Sequence, residues 1–182
     1  MRQKIAIYIL IITIVATGIY ALESYFQHSV KNDETLKNEI QQWLDVTLTN
    51  KPELMQVHES TTYISWIELD NGDKGIVELQ KGWNNRFRIH SASYGKNKIN
   101  YTVKTTNKGR YAIVYGENED EAITTVKANL IKENYSIQFN IPKQQHFVVT
   151  SKLPKSLKFS KLVEVFAFDE RNNEIRFWRS TY

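Results

Sequence analysis

The sequence predicts a mainly β protein, a sandwich or a partly closed antiparallel barrel, behind an N-terminal transmembrane helix and a short amphipathic helix. Three patterns predict it. Ile5 to Leu22 contains no charged residue. Leu36, Ile40, Trp43, Leu44 and Leu48 recur at helical spacing. From Thr61 onward, short runs alternate apolar and polar residues between Asn, Asp and Gly turns.

The eighteen residues Ile5 to Leu22 would span about 27 Å as a helix. That approaches the roughly 30 Å hydrocarbon core of a bilayer and exceeds the 7–15 residues of a secretory h-region. The run is apolar on every face, whereas a core helix of a globular domain needs one stripe. Tyr8 and Tyr20 sit near its ends, where amphipathic rings prefer the membrane–water interface. Arg2 and Lys4 precede it, and no Lys or Arg follows before Lys31. The positive-inside rule then places the N-terminus in the cytoplasm and the rest outside. The alternative is secretion after signal cleavage, with Ala16-Thr17-Gly18 as the small-x-small triplet. Cleavage after Ala21 would set bulky Ile19 at the third position back.

The chain therefore divides into a cytoplasmic tail at 1–4, a signal-anchor at 5–22 and a helical stalk with an amphipathic helix at 23–52. An extracytoplasmic antiparallel β-domain follows at 53–182, with a subdivision near the acidic run 117–121. Zero Cys excludes disulfides, thiolate metal sites, thiol catalysis and attachment through a lipidated cysteine. The use of Lys, Asn and Ile without Cys resembles that of surface proteins of low-GC Gram-positive bacteria. With 7 Gly, 3 Pro and 12% aromatic residues, the chain has the means to build a core.

Residues 33–49 read as a helix that Asp33 starts and Pro52 ends. Its stripe, continued backward by Tyr25, Phe26, Ser29 and Val30, serves either core packing or a dimerising stalk. Thr61 to Leu69 and Gly75 to Leu79 read as strands joined by Asp70-Asn71-Gly72-Asp73. Arg86 to Tyr94, Asn100 to Thr105 and Arg110 to Tyr115 follow, the last two joined through Asn107-Lys108-Gly109. Residues 122–131 read as a strand, with a short helix as the alternative, and further strands are expected at 135–141, 146–150, 162–168 and 174–178. The closing "VEVFAFDERNNEIRFW" resembles terminal hairpins of bacterial extracytoplasmic β-sandwich domains, a likeness that carries no functional residues.

Catalytic signatures are weak. Ser93-Tyr94-Gly95-Lys96 fits S-x-x-K, but it lies at a strand end rather than on a helix, and no S-D-N or K-T-G follows. His28, His58, His90 and His146 form no closely spaced pair, so no metal or cofactor is expected. Asp70 to Gly75 lacks the ligands of a calcium loop.

One stretch is less ordinary. Gln80 to Gly116 contains no Asp or Glu, yet holds Lys81, Arg86, Arg88, Lys96, Lys98, Lys104, Lys108 and Arg110. A three-stranded basic face is expected there, with Lys104 and Arg110 nearly opposite across a hairpin. Its partner would be anionic lipid or wall polymer; the rival is a solvated face paired with Glu68, Glu78 and 117–121. Lys152, Lys155, Lys158 and Lys161 form a second basic series, expected on an exposed loop. The net charge of +4 includes Arg2 and Lys4, which leaves too little excess to argue nucleic acid. The expectation is a membrane-anchored, non-enzymatic binding module of the cell envelope. A small envelope hydrolase and an accessory subunit of a membrane protein complex are the alternatives.

Overall fold

A computed structural model describes residues 2–27, 30, 33–157 and 163–175. Helix α1 (Arg2–Gln27) contains the apolar run. Ile5–Glu23 is long and apolar enough to cross a membrane, with a mean hydropathy of 2.5, as a membrane anchor or a signal sequence would be. Thr13 and Thr17 donate their hydroxyls to the carbonyls of Ile9 and Thr13, at 2.9 and 2.7 Å. Backbone and side chain thus satisfy the polar groups internally, as an apolar solvent demands.

The helix does not run on as a continuous stalk. Val30 lies in an isolated antiparallel bridge, and α2 (Asp33–Leu44) starts anew at the expected Asp33. α2 also stops earlier than Pro52 suggests. Asp45 takes a positive φ of 56°, and the Gln41 side chain receives the N–H of Leu48 at 3.1 Å. Leu48 therefore enters the core from a bridge to Leu69 rather than from a helical turn. Leu36 and Ile40 are fully buried, so the stripe packs the core; Trp43, expected on that stripe, is half exposed.

Among the described residues, eleven strands form three open antiparallel sheets. The first orders β1 (Met55–Gln56), β2 (Thr62–Glu68), β3 (Lys74–Lys81) and β4 (Phe87–Gly95) as a meander. The second places β6 (Gly109–Glu117) between β5 (Ile99–Thr106) and β9 (His146–Lys152). The third has the order β11 (Glu174–Ile175), β10 (Val163–Phe168), β7 (Thr125–Leu130), β8 (Tyr135–Asn140). The sheets are not closed. The expected strand at 122–131 is β7 followed by a 3₁₀ turn at Ile131–Glu133. Residues 162 and 176–178 of the expected strands lie outside the described residues.

Alternation along each strand assigns the cores. Val77 and Leu79 of β3 pack with Leu36 and Ile40 of α2. Ile64, Trp66 and Ile76 face Tyr111, Ile113 and Tyr115 of β6. The opposite face of β6, Ala112 and Val114, packs on Val126, Ala128 and Phe139 of the third sheet. β6 is thus buried on both sides, which explains its near-continuous apolar run. Gly75 and Gly116 permit close strand approach. A Cβ would lie 2.1 Å from the Ser93 carbonyl oxygen at Gly75, and 2.2 Å from the Lys98 carbonyl oxygen at Gly116.

Candidate functional site at the helix-proximal pole

The basic residues do not form one sheet face, because β4 and β5 belong to different sheets. The connection at 96–98 carries the chain from the first sheet to the second. Lys104 and Arg110 also point to opposite faces. Lys104 is in register with Tyr111 and Arg110 with Thr105.

Lys104 is turned inward. Its Nζ lies 2.6 Å from Glu78 Oε2 and donates to Ser91 Oγ at 3.2 Å, while Ser91 donates to Glu78 at 2.9 Å. Here hydroxyl, ammonium and carboxylate converge between two sheets, the combination a hydrolase would need. Lys104 does not serve as a base here, because Nζ donates to the hydroxyl instead of accepting its proton, and Glu78, which accepts that proton, is held in the ion pair with Lys104. The cluster neutralises a buried carboxylate. Arg110 reaches across to the carbonyls of Lys155, at 3.3 Å, and Leu157. Lys74 pairs with Glu117, so part of the acidic run is used to hold the first two sheets together.

The remaining residues collect by topology. Lys81 ends β3 opposite Phe87 at the start of β4, beside Arg86 and Arg88. The Thr61 carbonyl accepts the N–H of Lys81 at 2.7 Å, and the Thr61 N–H donates to Asn107 Oδ1 at 3.2 Å. The turn carrying Lys108 therefore sits at the same end, as does Lys152, whose Nζ is 6.0 Å from the Tyr111 ring centre. Lys96 and Lys98 are exposed at the other end of β4 and β5. Lys155 is exposed too, while Lys158 and Lys161 lie outside the described residues.

This basic end is also where the chain arrives from α1. Val30 and Phe87 exchange two backbone hydrogen bonds. The Arg86 guanidinium lies 4.6 Å from the centre of the Tyr25 ring, a cation–π contact. Between β3 and β4, Gly82 to Arg86 form a turn that lifts Trp83 into solvent, 72% exposed. In the sequence Trp83 stands only as one of the aromatics interleaved with the basic residues of 80–116, with no role of its own. The signal was present as a Trp in a Gly-Asn turn, where core packing has no use for it.

The other constellations resolve into structure. Ser93 lies in β4 and accepts the Tyr115 hydroxyl at 3.0 Å. His58 stacks on Tyr111 and His146 on Trp66. His28 lies outside the described residues. Among the described residues, no three His, Asp or Glu side chains gather as metal ligands. Gly72 takes a positive φ of 82° in a plain turn closed by Leu69 and Asp73. A shallow depression at the opposite pole is lined by Glu121, Asp169, Glu170, Arg171 and Asn173. Hydrogen bonds from Asn173 hold the Asp169 carboxyl below its ordinary range, so this carboxylate serves its own turn. Glu170, by hydrogen bond and charge, raises the Lys143 ammonium above its ordinary value.

No protein-family model, curated protein or solved structure matches the chain.

Proposed function

We propose that this chain is a single-pass, extracytoplasmic binding module of a bacterial cell envelope, held at the membrane by α1 and not an enzyme. Its three sheets act as a β-sandwich-type scaffold. Its basic groups contact anionic lipid or wall polymer. One observation carries the reading: Lys81, Arg86 and Lys108 gather at the end of the β-domain that receives the chain from the apolar helix. Single-sign clusters of this kind cost stability through self-repulsion unless an opposite charge meets them. Each Lys or Arg near an anionic surface contributes on the order of 1 kcal/mol, weakened by salt.

Charge reversal tests it on the full chain in zwitterionic nanodiscs. Poly(glycerol phosphate) and anionic vesicles are titrated at rising salt. Binding that falls with salt, and is lost in K81E/K108E, supports the reading. Equal binding by that double variant and the wild type would sink it. The pair K96E/K98E, at the opposite end, reports whether polymer is met away from the membrane.

A further inference from the structure

We propose that the Gly82–Arg86 turn lies in the headgroup layer of the bilayer that α1 spans, with the Trp83 indole seated at the membrane–water interface. The inference rests on the anchored reading and adds a second, non-covalent attachment that fixes the orientation of the β-domain.

The argument follows distance along the chain. The apolar span ends at Glu23. Tyr25 lies two residues further, about 3 Å along the helix axis. The headgroup layer extends about 5–7 Å beyond the hydrocarbon on each side. Arg86, 4.6 Å from the Tyr25 ring centre, therefore falls at headgroup depth. A guanidinium there meets lipid phosphate, which it can bind in a bidentate manner.

The turn cannot swing away from that level. Val30 and Phe87 hold the first residue of β4 to the segment leaving α1, at 3.1 and 2.8 Å. The turn is closed on itself. Gly82 donates to the Arg86 carbonyl at 2.8 Å, and the Arg86 N–H donates to Asn84 Oδ1 at 3.1 Å. Asn85 sits at a φ of 58°, in the left-handed region that Asn tolerates.

Trp83 is the residue this rigid turn presents. Trp66, by contrast, is 6% exposed and donates its N–H to Glu68. An exposed indole combines an apolar body with one donor, and such rings concentrate at the headgroup level. With the turn docked, Lys96 and Lys98 at the far end of β4 and β5 point away from the membrane.

The full chain, reconstituted in phosphatidylcholine–phosphatidylglycerol vesicles, tests this. The Trp83 signal is the difference in emission between wild type and W83F, with W83Y as a second reference. We expect that signal to be blue-shifted and to lose about half its intensity to lipids brominated just below the glycerol level. A chain that resists alkaline washing, yet whose Trp83 is untouched by bromolipid and open to acrylamide, would overturn the inference and leave the anchor standing. A chain that washes off the vesicles would remove the anchor, and the inference with it.

Discussion

Val30 and Phe87 exchange both backbone hydrogen bonds, and the side chains of both are buried in the core beneath α2. The chain leaving α1 is thus stitched to β4 before the β-domain proper begins. Phe87 of β4 is thereby held three residues from the end of α1 at Gln27.

Replacing Val30 by Pro removes the donor to the Phe87 carbonyl. V30P should lower stability by about 1–3 kcal/mol, the range for an unmet buried polar group. It should also speed amide exchange at Phe87. Exchange at the wild-type rate would show that the bridge contributes nothing.

Glu78 is buried and Lys104 is its counter-ion. Removing one member of such a pair leaves an uncompensated charge. K104M should destabilise by about 3–5 kcal/mol, whereas E78L/K104M should recover most of that loss. Urea unfolding of the three variants measures the coupling. A double variant as unstable as K104M would contradict the pairing.

The Tyr101 phenol is pushed up from 10.0 to about 12, mainly by burial and then by the charge of Glu133. The folded state therefore holds this proton more tightly than the unfolded chain. That contribution is complete below the ordinary phenol value and is lost as pH rises through the folded one. Between pH 10 and about 12, stability should fall, and Y101F should flatten the slope. Its buried hydroxyl has no hydrogen-bond partner among the described residues, so Y101F itself should be neutral or stabilising at pH 7. An unchanged alkaline slope in Y101F would contradict this.

The mainly antiparallel β fold with an apolar N-terminal helix and a short second helix was legible in the sequence. Period-two alternation marked the strands because each buries a face, and helical spacing marked Leu36 and Ile40. Strand partnership was not legible. β6 pairs with β9 across an entire hairpin of the third sheet, and alternation says nothing about which sheet a strand joins. The expected basic face failed for that reason. Lys104 and Arg88 are neighbours in sequence pattern but sit in separate sheets. Val30 was invisible as a bridging residue because a single residue has no period. The early end of α2 depended on a side-chain contact from Gln41 to Leu48, which spacing does not encode.

The central claim is that α1 stays in the membrane and carries the β-domain outside. The absence of Cys makes one measurement clean. A single cysteine is placed at exposed Asn71, as N71C, in the full chain, and intact cells are treated with a membrane-impermeant maleimide. The account predicts labelling without lysis, of a full-length chain that stays in the membrane fraction after alkaline washing. Labelling only after lysis, or a labelled chain released to the medium without its first residues, would contradict it.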